Sequence, residues 1–248
     1  MDDESLVRME TILLATWPPL ETEERGGWVA GANGGFTGRA NAVTVLQRTD
    51  PDVAEPLVEW AERWYRSRHA PPAIRLTPLS ADLEPLLAER GYRWWRNGAS
   101  VMAAELSPLV DQVAPDGYAA GGTAAADDDW YLLAGHDAAD RVVLDRMFDG
   151  VSPRSLHVVM RRGEEIGAIG RGVVHDGHLA VFGMETAPAH RRRGLAMAVI
   201  GCLARWAADL GGDRATLQVE TGNDGAHALY ERLGFEDVYE YEYRASEP

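Results

Sequence analysis

At 248 residues, with 46% hydrophobic and 25% charged residues, the chain is long enough for one large or two small domains and has the make-up of a folded globular protein, which excludes intrinsic disorder and fibrous architecture. No run reaches the roughly 18 apolar residues of a membrane span, and the acidic opening Met1-Asp2-Asp3-Glu4 is unlike a signal peptide, so a cytoplasmic location and no membrane partner are expected. The net charge is −15 and all 24 basic residues are arginine, which argues against nucleic acid and for a cationic partner, with plain solubility as the alternative.

In chain order, the glycine-rich stretch 26–41 places Trp28 and Phe36 among glycines; it reads as a hairpin with both aromatics in the core, or as a wall on the acceptor side of a cleft. A helix follows over 53–68, where Trp60, Trp64 and Tyr65 have helical spacing and are expected in a core. Residues 75–93 then read as strand, helix and a Gly-aromatic step into a strand, a pattern that returns at 216–237. The chain is therefore expected to be a tandem repeat, with a degenerate first domain over 1–106 and a second, active one over 127–248. Residues 107–126, rich in proline, glycine and alanine without sustained periodicity, are expected to be a linker.

In the second half a helical stretch over 130–148 precedes strands over 155–160, 165–174 and 178–185, with a hairpin turn at Asp176-Gly177. A long helix over 194–210, a strand over 215–220, a short helix over 224–233 and a last strand over 236–243 complete it. The alternation argues for an α/β (α+β) fold, a mixed central sheet flanked by helices. The single cysteine, Cys202, lies in the long helix and is assigned to packing; the histidines show no metal spacing, so no metal is expected.

The strongest local signal is Glu185-Thr186-Ala187-Pro188-Ala189-His190-Arg191-Arg192-Arg193-Gly194-Leu195-Ala196, between a strand and a helix. The first N–H groups of a helix have no intrahelical acceptors and carry the positive end of its dipole, so they can hold a pyrophosphate. Gly194 would let the backbone come close, Ala196 would leave room, and Arg191, Arg192 and Arg193 would add charge. Downstream, after the next strand, stands Asn223-Asp224-Gly225-Ala226-His227-Ala228-Leu229-Tyr230-Glu231-Arg232-Leu233-Gly234-Phe235.

Together the two segments resemble the acetyl-CoA site of the GNAT superfamily of N-acetyltransferases: an Arg-x-x-Gly-x-Ala loop followed by Asn-x-x-Ala-x-x-Leu-Tyr-x-x-x-Gly-Phe. The layout is similar to tandem GNAT proteins, including actinobacterial histone-type acetyltransferases. The resemblance implies acetyl-CoA as donor and direct transfer of its acetyl group to an amine. It also implies a splayed parallel strand pair opened by a β-bulge, with the pantetheine arm laid along the edge near Met184 and Thr186. Pyrophosphate contacts fall to Arg191 to Arg193, Gly194, Leu195 and Ala196, and cofactor contacts also to Asn223, Ala226 and Tyr230. Two proton tasks exist, removal from an ammonium of pKa about 10.4 and supply to the leaving thiolate. Tyr230 matches the family's thiolate donor; Glu220 is the preferred base, with Glu185 the alternative.

In the first half the position matching Tyr230 is Leu87, and the acidic stretch Arg48-Thr49-Asp50-Pro51-Asp52 stands where a phosphate loop would be, so that half is not expected to bind the donor. The acceptor is expected to be a primary amine on a basic protein or peptide. A small antibiotic-like amine, or a non-catalytic acetyl-CoA sensor, are the alternatives. A monomer and a homodimer both remain open.

Overall fold

The structure is a computed structural model, which describes residues 1–151 and 154–247. The chain forms two compact units: unit one is Met1–Val101, Glu220–Gly222 and Val238–Pro248, and unit two is Met102–Val219 and Asn223–Asp237.

Unit one opens with helix α1 (Asp3–Thr16), capped by Asp2, whose carboxylate accepts from Ser5 N at 2.9 Å. Leu6, Met9, Ile12 and Leu13 recur at three- and four-residue steps and are buried. Strands β1 (Glu21–Arg25) and β2 (Trp28–Ala32) form an antiparallel hairpin around Gly26-Gly27, and β3 (Thr44–Val45) pairs with β2. Trp28 is fully buried, whereas Phe36 is only half-buried, so the hairpin reading holds for the first aromatic and not the second. Helix α2 (Pro51–Arg66) supplies Trp60, Trp64 and Tyr65 to the core, as their spacing predicted. Strand β4 (Ala73–Leu76), helix α3 (Glu84–Glu89) and strand β5 (Arg93–Trp94) follow, with Leu87 of α3 fully buried.

Strand β6 (Ala99–Glu105) begins in unit one and ends in unit two. Residues 107–126, expected to act as a linker, carry a 3-10 turn at Ser107–Leu109 and strand β7 (Ala119–Thr123), which pairs with a later strand along all five of its residues. The helix expected over 130–148 is two helices, α4 (Asp128–Ala134) and α5 (Ala138–Asp149). Gly135 ends the first in a left-handed conformation (φ 73°), and the Asp137 carboxylate caps the second, accepting from Ala139 N and Asp140 N.

Strands β8 (Ser155–Arg162), β9 (Glu165–His175) and β10 (His178–Thr186) form an antiparallel meander, followed by helix α6 (Leu195–Asp209), strand β11 (Arg214–Glu220) and helix α7 (Asp224–Arg232). The strand order within unit two is β6-β11-β10-β9-β8-β7, with β10 and β11 parallel. Helix α6 lays Ala198, Val199, Ile200, Leu203, Ala204 and Ala207 on the sheet. Burial of each Val, Ile or Leu there stabilises by about 1.5–3 kcal/mol. Close packing depends on small residues on β9: a Cβ at Gly170 would stand 2.6 Å from Val199 Cγ1, and one at Gly172 would stand 3.0 Å from Leu203 Cδ2. The last strand, β12 (Glu236–Ala245), belongs to unit one from Val238 onward, where it pairs antiparallel with β4 and β5. No described helix is long and apolar enough to cross a membrane.

Candidate active site

The parallel pair β10 and β11 is in register only over His178–Val181 against Arg214–Leu217, although the strands run on to Thr186 and Glu220. Pairing stops where β10 bulges: its register against β9 shifts between Phe182 and Glu185. Gly183 makes the bulge possible. Its φ is 56°, which side chains rarely adopt, and a Cβ there would stand 2.8 Å from Trp130 Cζ2. An open strand edge therefore lies beside the start of α6.

A cavity of about 720 Å³ occupies this opening. Met184, Glu185 and Thr186 of β10, the Arg191-Arg192 loop, the first turn of α6 from Gly194 to Met197, and one face of α7 line it. Gly194 precedes α6 in a left-handed conformation (φ 80°) with no side-chain cap, and Ala198 N is the first amide to bond back, to Gly194 O at 3.0 Å. The amides of Leu195, Ala196 and Met197 thus stand at the positive end of the dipole on the cavity's lining, which suits an anion. Arg192 is also left-handed (φ 58°), an uncommon state for a residue with a side chain.

Arg191 is tied to the strand end: Nε donates to Thr186 O at 3.2 Å, and Nη2 lies 3.4 Å from Glu185 Oε1. Both side chains are substantially exposed, so the ion pair orients more than it stabilises. On α7, Asn223 is the helix cap, its Oδ1 accepting from Ala226 N at 3.2 Å, and it also faces the cavity. A Cβ added at Gly225 would meet nothing within 4 Å, so that wall is open. Tyr230 is 7% exposed and packs edge-on to Phe235, with ring centroids 5.8 Å apart. Burial pushes its phenol up to about 12, so at neutral pH the hydroxyl keeps its proton and is a hydrogen-bond donor.

The cavity brings together Met184, Glu185, Thr186, Arg191, Arg192, Gly194, Leu195, Ala196, Asn223, Ala226 and Tyr230. Two residues expected at the site are not on the cavity's lining. Arg193 turns toward Tyr118, its Nη1 3.5 Å from the hydroxyl. Glu220 is exposed, groups with unit one, and accepts from Asn97 Nδ2 at 2.9 Å. Four further residues line the cavity: Leu229, which the motif contains but to which no contact was assigned, and Met197, Gly225 and Arg232, which sequence reasoning missed. Gly225, Leu229 and Arg232 continue at helical spacing on α7, a signal that was present in the sequence.

The family model described as "Probable histone acetyltransferase Rv0428c C-terminal" matches residues 5–244. The uncharacterized N-acetyltransferase YobR of Bacillus subtilis (strain 168) is 27% identical over 251 residues, spanning 98% of this chain and 99% of that protein. The solved structure of a GCN5-related N-acetyltransferase from Kribbella flavida has a TM-score of 0.74 at 20% identity, covering 98% of this chain and 95% of its own. A tandem GNAT protein from the clavulanic acid biosynthesis pathway has a TM-score of 0.64 at 13% identity, covering 96% and 86%. The structural likenesses bear on the fold alone, but the family match spans nearly the whole chain: the protein belongs to the family described as probable histone acetyltransferase Rv0428c C-terminal, among the GNAT N-acetyltransferases.

Proposed function

We propose that the protein takes acetyl-CoA as donor and transfers its acetyl group directly to a primary amine, on a basic protein or peptide. The observation that carries this reading is the single cavity that joins an uncapped helix N-terminus, an open strand edge and a buried, protonated Tyr230. A pyrophosphate would lie on the amides of Leu195 to Met197 with Arg191 and Arg192 beside it, and the extended arm would run along Met184 and Thr186. The acceptor amine attacks the thioester carbonyl; the C–N bond forms, the C–S bond breaks, and the thiolate takes the Tyr230 proton. The proton lost by the amine goes by way of water to a carboxylate. In this reading the carboxylate is Glu185, which lines the cavity, rather than Glu220, which is not on its lining and accepts from Asn97.

The net charge of −15 supports a cationic acceptor. Unit one, in this reading, is the degenerate copy of a tandem pair: Leu87 is sealed in its core at the position of Tyr230.

The test is release of CoA thiol from acetyl-CoA by the purified protein, across basic proteins, peptides, polyamines and aminoglycosides, with Tyr230→Phe alongside. Turnover on a basic protein or peptide that falls by about 10²-fold or more in the variant, at unchanged donor affinity, is expected. Turnover confined to aminoglycosides would replace the acceptor class. Donor binding with no release on any member of the panel would make the protein a sensor.

A further inference from the structure

Next to the anion-binding loop, but outside the cavity, three side chains form a chain that the chemistry above does not use. His190 closes the 3-10 turn Pro188–His190 and is 6% exposed. Its Nδ1 lies 2.7 Å from the Tyr118 hydroxyl, and its Nε2 lies 3.8 Å from Glu165 Oε2. The carboxylate favours a proton on Nε2, which leaves Nδ1 to accept from Tyr118. The rings meet edge to face, with centroids 5.8 Å apart. Glu165 is itself fixed by Arg162, whose Nη2 donates to Oε2 at 2.8 Å.

Tyr118 also reaches the far end of the loop. Its hydroxyl is 3.5 Å from Arg193 Nη1. At Gly167 a Cβ would stand 2.9 Å from Leu195 Cδ1 and 3.1 Å from Tyr118 Cε1, so the bare glycine leaves room for both the tyrosine and the first residue of α6. The turn that carries Tyr118, closed by Tyr118 N bonding to Pro115 O at 3.1 Å, sets Pro115 Cγ 3.9 Å from where a Cβ on Gly194 would be. One short segment thus contacts His190 before the loop and Arg193 within it, and packs around Gly167 together with Leu195 after it.

The loop needs such support. Arg192 and Gly194 are both left-handed, a state that is unfavourable for a residue with a Cβ such as Arg192 unless its surroundings hold it. We infer that Tyr118 and His190 are positioning residues, a latch that holds the Arg191 to Gly194 loop in its anion-binding shape before the donor arrives. The inference rests on the donor reading above for its effect on affinity, but not for its effect on the loop itself.

The experiment measures two quantities in the full-length protein: amide hydrogen exchange over residues 191–197 without ligand, and the acetyl-CoA dissociation constant by calorimetry. In Tyr118→Phe, exchange in those residues should quicken about tenfold and the dissociation constant should rise about tenfold, the size of one lost part-buried hydrogen bond. In turnover, donor KM should rise with kcat and acceptor KM unchanged. His190→Leu should match Tyr118→Phe, the double variant should be no worse than either, and His190→Gln, which keeps a hydrogen-bonding partner for the tyrosine, should recover most of the loss. Unchanged exchange and affinity in Tyr118→Phe would overturn the latch, as would faster exchange spread equally over β8 to β10. Faster exchange confined to the loop in a protein that binds no acetyl-CoA would uphold the latch and overturn the donor reading.

Discussion

His157 shows how one buried side chain sets a pH limit. It lies on β8 at 1% exposure, against Trp130 and Phe148, with Nδ1 3.2 Å from Ala124 O. Across the strand pair it faces Arg171, a guanidinium also 1% exposed, whose Cζ lies 4.1 Å from the centroid of the Phe148 ring. Burial first, and the Arg171 charge second, push the His157 imidazole from 6.5 down to about 4. A depressed folded pKa means that the folded state resists taking up the proton. The contribution is therefore complete above about 6.5 and is lost as pH falls toward about 4, amounting to roughly 3 kcal/mol. His157→Gln, which does not titrate, should flatten the wild-type loss of stability between pH 6.5 and 4 in denaturant melts. Parallel curves for the two proteins would show that carboxylates alone set the acid limit. None of this was legible beforehand, because both strands are buried along nearly their whole length and a sequence does not say that His157 of β8 stands opposite Arg171 of β9.

At the scale of elements, the strongly patterned parts of the second half were legible: α6, α7 and the three-strand meander have the predicted type and nearly the predicted bounds. So was the gathering of most candidate site residues around one cavity, because loop, helix start and α7 face follow from helical geometry once the elements are fixed. The weakly patterned parts were not. Strand β7 is Ala-Ala-Gly-Gly-Thr, without one large apolar side chain, and it is a strand because β8 supplies a hydrogen-bonding partner. The segment before it is fastened to α6 rather than loose: Arg205 Nη1 donates to Val110 O at 2.7 Å and to Gln112 O at 2.9 Å. Gly201 allows this approach, since a Cβ there would stand 2.0 Å from Gln112 O, a backbone atom that cannot swing aside. Gly201→Ala should therefore push the segment off the helix, whereas a helix interior left to itself gains about 1 kcal/mol from the same change. We expect a net loss of 1–3 kcal/mol, about the usual cost of overpacking, read from thermal or denaturant unfolding. A gain would mean that the segment is held too loosely to act as a backrest for Tyr118.

For the molecule as a whole, the last strand leaves the patterned second half. From Val238 onward it completes unit one, where Tyr239 and Arg75 both bond the fully buried Glu10 of α1. A sequence pattern gives the type of such a strand but not its partner, because pairing is chosen by tertiary packing. Charge is a property of the whole chain, and it bears directly on the acceptor. With a net charge of −15, a polycation is drawn in over distances that salt shortens, as the screening length falls from about 10 Å at 0.1 M to about 3 Å at 1 M. Steering of this kind is worth about 10-fold to 10³-fold in encounter rate. If the acceptor is a basic protein or peptide, kcat/KM for it should fall at least about tenfold between roughly 0.05 M and 0.5 M salt, mostly through KM. Under the proposed donor reading, donor KM should rise much less, since its phosphates would bind amides within a cavity rather than a distributed surface charge. A salt-independent kcat/KM would remove the electrostatic ground for a polycationic acceptor and make the acidity a matter of solubility, leaving a small amine as the acceptor class to pursue.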